Sequence, residues 1–326
     1  MKRFTETKGV IMKAQKDGKL LASPNSTLGK RILSYWQLYL LLLPGIVLTI
    51  IYKYVPMYGV QIAFKDYNAA NGFWGSSWVG LKWFTKFFTN YKSVEMIKNT
   101  IKLSFYSILW TFPIPIILSL IINQIQYTKF KKFSETILYA PHFVSIMIVC
   151  GMIRVFVSPY GGLLTTISQL FGNTVNISIL DQVANFRTIY IASSIWQDAG
   201  WGMIIYTASL ASVDKSLHEA AKIDGANIWK RIWHMDLPVL VPMISIQLIM
   251  SFGSLMNVGF EKAFLLQTDL NIGASEIIAT YVYKQGILKA MYSFSTAVSL
   301  FNTVINILLL YIVSKIAAKV SEVSFL

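Results

Sequence analysis

Six stretches of this chain are long and apolar enough to cross a lipid bilayer: residues 32–52, 103–128, 136–153, 188–213, 237–260 and 290–314. A spanning helix needs roughly 17–25 such residues. Lipid offers no hydrogen-bond partners, so a spanning backbone must satisfy its own N–H and C=O groups. Continuous apolar runs of this length do so as helices. The expected fold is therefore an all-α membrane protein with six transmembrane helices, in one domain over residues 32–326. Of all residues, 55% are hydrophobic and only 13% charged, too apolar a balance for a soluble domain.

The net charge of +14 is a topology signal rather than a sign of nucleic-acid binding. With the amino terminus inside, the cytoplasmic segments hold 17 Lys and Arg and the outer segments hold 9. That is the positive-inside asymmetry. It makes residues 1–31 a flexible basic cytoplasmic tail, and the first span an uncleaved anchor. It also puts the loop over residues 212–238, between the fourth and fifth spans, in the cytoplasm. Cys150, the sole cysteine, reads as a small buried apolar residue and excludes an internal disulfide.

That loop is the most structured polar stretch of the chain. Ser216 with Glu219 three residues on has the spacing of a capping box, so a helix is expected to begin there. Ala220 and Ala221 favour helix and leave its surface open to close approach. Gly225 is the expected stop, because glycine accepts the left-handed conformation that ends helices. Ile228, Trp229, Ile232 and Trp233 then give a second short helix, and Pro238 a bend. Two readings fit these residues: a solvated connection, or a docking element for a soluble partner.

Other stretches carry weaker signals. Aromatic residues crowd positions 60–99, with Trp83, Phe84, Phe87 and Phe88 at helical spacing, as in a helix lying on the membrane surface or a sugar-stacking platform. Pro113 and Pro115 predict a bend in the second span. Arg154 is placed to snorkel from the third. Pro159 to Gly162 reads as a turn before a short amphipathic helix through Leu163, Leu164, Ile167 and Leu170. Asp198, midway along the fourth span, is either a proton or substrate site or a helix-packing hydrogen bond. Ser251, Ser254 and Asn257 on the fifth span, and Ser295, Ser299, Asn302 and Asn306 on the sixth, form polar faces. They either line a wet passage or bind helices together, at about 0.6 kcal/mol per bond.

Catalytic and metal motifs are absent from the sequence. It contains no P-loop, nucleophile elbow or dinucleotide fingerprint, and His142, His218 and His234 lack zinc-site spacing. Neither a catalytic residue nor a metal ligand is expected.

Glu219-Ala220-Ala221, Gly225, and Met235 before Leu237-Pro238 resemble the signature loop of membrane subunits of bacterial ABC importers. The usual Ile is Met235 here. Asp224-Gly225-Ala226 and Pro242 are similar to the sugar-transporting branch. Val79-Gly80-Leu81 with Phe84, Asn99-Thr100, Trp196 through Trp201, Gly259 through Lys262, and Thr280 through Tyr283 resemble the subgroup that takes up complex oligosaccharides and polysaccharide fragments. The likeness covers roughly residues 35–326. It implies a bacterial cytoplasmic-membrane permease that pairs with a second homologous membrane subunit. A dimer of ABC ATPase subunits, which carry the ATP and Mg, would dock below. An extracytoplasmic binding protein would deliver carbohydrate from above. The resemblance makes residues 212–238 the coupling loop, with Glu219, Ala220, Ala221, Asp224, Gly225 and Ala226 docking the ATPase. Asp198, Ser254, Asn257, Ser295, Ser299 and Asn302 are the candidate substrate pathway. An importer for a non-sugar solute and an ion-coupled secondary transporter are the competing readings.

Overall fold

The computed structural model describes residues 35–172, 178–257 and 259–321. The basic tail expected over residues 1–31 lies outside them. The chain divides into two units, Met1–Gln61 and Ile62–Leu326. The described part of the first is carried by α1 (Trp36–Phe64), 29 residues long. No residue of its Trp36–Thr49 portion is buried. A helix this apolar and this uncovered fits a lipid surround.

The second unit holds the remaining elements. They are α2 (Lys82–Thr89), α3 (Tyr91–Asn123), α4 (Thr128–Phe143), α5 (Ile146–Phe156), α6 (Leu163–Leu170) and α7 (Val183–Leu210), followed by α8 (Lys215–Ile223), α9 (Ile228–Gly253), α10 (Phe260–Leu266), α11 (Ile278–Tyr283) and α12 (Tyr292–Ser321). Among the described residues the only β-type pairing is an isolated bridge between Lys65 and Trp78. Four helices, α1, α3, α9 and α12, are long and apolar enough to cross a membrane, and α4 with α5 makes a fifth if that bent pair is one span. α7 has the length, at 28 residues, but is more polar than these.

The run expected to be a straight third span is broken. α4 and α5 meet at 92°. Pro141 lacks an N–H and sits in a 3₁₀ turn, and Ser145 restarts the helix by accepting the Ile148 N–H. α7 clasps this break. Gln197, 6% exposed, donates to the Val144 carbonyl at 3.0 Å. His142 Nδ1 lies 3.0 Å from the Asp198 carboxylate, and its ring stacks on Trp201 at 4.5 Å. Gly200 lets the α7 backbone approach α4. Non-helical backbone at membrane depth survives only where protein satisfies it, and this short run of α7 does so.

Two expectations change. α2 forms as the spacing predicts; Phe87 packs inward, Trp83 and Phe84 are half-buried, and Phe88 stays exposed. Phe87 is buried against Phe294 and Phe301 at 6.4 and 5.7 Å, and Trp83 donates to the Lys65 carbonyl at 3.0 Å. Aromatic faces on α12 offered more contact than an interface would. Arg154 does not snorkel; it donates to the backbone carbonyls of Leu265 and Gln267. It thereby caps the end of α10, where carbonyls are left without partners. α3 runs through Pro113 and Pro115 as one helix, and Pro115 packs close to Gly202.

Gly200→Ala tests the clasp. An added Cβ would come within 1.9 Å of the Leu138 carbonyl oxygen, which backbone cannot vacate cheaply. The expected loss is on the order of 1–3 kcal/mol, read as a lower thermal midpoint of the detergent-solubilised protein, whereas Gly151→Ala, with open space around it, should leave that midpoint unchanged.

Candidate functional site

α8 begins two residues earlier than the capping-box reading placed it. The N-cap is Asp214, whose carboxylate accepts the Ser216 N–H at 2.9 Å. Ser216 therefore lies inside the first turn. Both residues own a suitable oxygen, and Asp214 reaches the orphan N–H groups first. That hydrogen bond holds the Asp214 carboxyl below the usual carboxylate range. The helix ends as expected. Gly225 has φ of +79°. Its N–H reaches the Lys222 carbonyl at 3.1 Å, and the Ala226 N–H reaches the Ala221 carbonyl at 2.9 Å. This is the paired closure of a Schellman motif. Asn227 then caps α9 by accepting the Lys230 N–H at 2.9 Å.

The second short helix is not separate. Ile228–Gly253 is one helix of 26 residues, with a π-helical turn at Ile232–Asp236. The wider turn absorbs the N–H that Pro238 lacks, so the expected bend is not needed.

Glu219, Ala220, Asp224 and Gly225 are exposed, while Ala221 and Ala226 are half-buried. Among the described residues Glu219 makes no ion pair and no hydrogen bond through its side chain. Leu217 and Ile223, 56% and 86% exposed, add uncovered apolar surface to a polar helix.

Beneath α8 lies a residue that sequence reasoning passed over. Asp236 is fully buried. Its carboxylate accepts from Gln124 Nε2 at 2.8 Å and Asn123 Nδ2 at 3.4 Å. His218 Nε2, on α8, lies 3.2 Å away. A cavity of about 670 Å³ opens beside them, lined among others by Gln124, Lys131, His218, Glu219, Lys222 and Arg231. The available signal was a lone carboxylate directly before an apolar run.

The structure divides the polar faces of α9 and α12. After Gly253 the α9 helix stops, and the next backbone groups are taken up by side chains. Ser104 on α3 donates to the Leu255 carbonyl. Asn306 accepts the Met256 N–H at 2.9 Å. Asn302 donates to the Met256 carbonyl at 3.3 Å and to Asn257 Oδ1 at 2.9 Å. Asn302 and Asn306 thus join α12 to the segment after α9, Asn257 accepts from Asn302 while remaining exposed, and Ser251 donates within its own helix to Gln247. Ser254 is exposed and bonds back to the Met250 and Ser251 carbonyls.

Ser299 is exposed, whereas Ser295, 7% exposed, donates to the Val282 carbonyl at 3.1 Å. Both line a groove of about 410 Å³ with Phe260, Tyr283, Tyr292 and Thr296. The rings of Phe260, Phe264 and Tyr283 meet there at 5.0 to 5.5 Å. Sequence reasoning did not single out this aromatic trio, because its members come from two separate elements. Asp198 stands apart from the groove's lining and is held by His142. Among the described residues no group of three His, Cys, Asp or Glu side chains could hold a metal ion, and Cys150 is a buried free thiol.

Asn306→Leu should leave the buried Met256 N–H without an acceptor. The expected destabilisation is about 1–3 kcal/mol, measured by denaturant unfolding in detergent.

Residues 98–318 match the family described as binding-protein-dependent transport system inner membrane components. Protein LplB of Bacillus subtilis (strain 168) is 42% identical over 286 residues, which is 87% of this chain and 89% of that protein. The polygalacturonan/rhamnogalacturonan transport system permease protein YteP of the same organism is 38% identical over 313 residues, 96% and 95% of the two chains. A chain in the crystal structure of a bacterial alginate ABC transporter, in complex with alginate pentasaccharide-bound periplasmic protein, superposes with a TM-score of 0.83. It is 35% identical, with 92% of this chain and 100% of that one covered.

Proposed function

The chain belongs to the family of binding-protein-dependent transport system inner membrane components, and from that premise we propose that it serves an importer of oligosaccharides or polysaccharide fragments. It is the non-catalytic permease subunit, and the ATPase is a partner. In this reading a second homologous membrane subunit completes the passage, two ATPase subunits drive it, and a binding protein delivers the sugar from outside. The saccharide class draws support from the names of the relatives, a polygalacturonan/rhamnogalacturonan permease and an alginate transporter.

Six spans follow if α7 and the bent α4–α5 pair each count as one beside α1, α3, α9 and α12. The amino terminus then lies in the cytoplasm, as the charge asymmetry requires. α8 lies between the fourth and fifth of these, on the same side.

One observation supports the docking role: α8 is a capped, Schellman-closed helix that leaves Ala220 bare and, among the described residues, Glu219 unpaired. An ATPase cleft that receives it gains close backbone approach and a carboxylate for a basic partner. Closure of the ATPase pair on ATP pushes α8 and turns the passage outward. Asp224, Gly225 and Ala226 hold the turn that shapes the far end of the contact.

The sugar path of this reading runs by Ser254, Asn257, Ser295, Ser299 and Asn302, with Asp198 in the same membrane domain. Ser299 is its best-supported member, since an exposed hydroxyl near Phe260 and Tyr283 combines hydrogen bonding with a stacking surface, as sugars require. Asn302 acts there through the backbone it holds.

Glu219→Lys should assemble with the ATPase subunits yet lower binding-protein-stimulated hydrolysis and uptake at least about tenfold, the equivalent of 1.4 kcal/mol. Normal uptake by that variant in reconstituted vesicles removes the docking assignment. Ser299→Trp should lower uptake of labelled oligosaccharide by a similar factor of about ten, while a photo-cross-linker at Ala221 still captures the ATPase. Unchanged uptake would move the passage elsewhere.

A further inference from the structure

We propose that Asp236 is the joint that makes α8, the cytoplasmic end of α3 and the foot of α9 one rigid block. It is a positioning residue, and its role deepens the docking reading of α8. The argument starts from burial. A fully buried carboxylate is expensive unless its oxygens are occupied. Asp236 meets that need with groups that all come from other elements. Asn123 and Gln124, at 3.4 and 2.8 Å, belong to the last turn of α3 and the residue after it. His218, at 3.2 Å, belongs to α8. Asp236 itself closes the π-helical turn that leads into the apolar body of α9. One carboxylate thus ties three segments whose neighbours in sequence are more than ninety residues apart in the case of α3 and α8.

The consequence is mechanical. Without this joint, a push on α8 is relayed only through the exposed turn at Gly225 and Ala226, whose backbone is the sole covalent route to α9. With it, displacement of α8 moves α3 and α9 together. α3 supplies Ser104 to the break after α9, so the same two helices meet again at the far end. The block is tied at both ends, and the stroke reaches the region of Ser254 and Asn257 with little loss. An apolar side chain at position 236 could pack as well, but it could not hold two amides and an imidazole at once.

The test uses the assembled transporter in vesicles, with its ATPase subunits and its binding protein, and reads ATP hydrolysed per sugar imported. Asp236→Asn should assemble at wild-type yield yet raise that ratio at least about tenfold. Ile125→Cys with Lys222→Cys places thiols on both walls of the cavity beside the joint, the native Cys150 being buried. A short bis-methanethiosulfonate tether across this pair should leave wild-type transport within about twofold and restore coupling to Asp236→Asn. Wild-type coupling in Asp236→Asn, failure of the tether to rescue it, or loss of transport on tethering the wild type each overturns the joint. If Asp236→Asn does not assemble, the tether in the wild-type background decides alone: retained transport supports the rigid block and lost transport rejects it. A cross-linker at Ala221 separates the two levels. Its failure to capture the ATPase overturns the docking reading beneath, whereas capture together with normal coupling in Asp236→Asn overturns the joint only.

Discussion

A helix that breaks within lipid leaves backbone groups that only protein can satisfy, and this chain breaks its helices in several places. The turn between α4 and α5 is held by Gln197 at the Val144 carbonyl. The break after α9 is held by Ser104, Asn302 and Asn306. The end of α10 is held by Arg154. Asn99 and Thr100 on α3 reach the segment that precedes and opens α11, at the Gly273 carbonyl and the Ile278 N–H. Polar side chains of the long helices therefore point inward to loose backbone. What remains outside is apolar: α1 and the outer faces of α3 and α12 expose large hydrophobic residues along their length, which lipid covers.

α8 follows the opposite logic: it is closed by its own caps and keeps its surface free. Glu219 and Asp236 are the same kind of acid in opposite settings. Glu219 is exposed and, among the described residues, unpaired. Asp236 is sealed beneath α8 with its oxygens occupied.

The legible parts of this protein were those decided within a few neighbouring residues. The apolar runs form helices, the third of them broken, and the turn at Gly225, the aromatic helix α2 and the short helix α6 form where their spacing predicts. The missed parts needed a second segment. Ser216 and Asp214 are equivalent cap candidates by residue type, and a two-residue difference in where the chain enters the helix chose Asp214. The third apolar run looked continuous because Pro141 alone permits either a kinked or a broken helix. The 92° break became affordable only with Gln197 across from it. The aromatics of α2 would suit an interface equally well until Phe294 and Phe301 of α12 are brought beside them.

By itself, the sequence determined that the chain is helical and membrane-embedded, and that a small capped helix lies between its later spans. Those properties rest on local periodicity, charge placement and backbone preference, which act over a turn or two. Only the tertiary structure decided which polar side chains bind broken backbone and which line a groove. Asn302 and Ser299 are both polar and three residues apart, yet one is bound to broken backbone and the other faces a groove. A side-chain amide or hydroxyl bonds whatever lies within about 3 Å, and that neighbour is set by a helix far away in the chain.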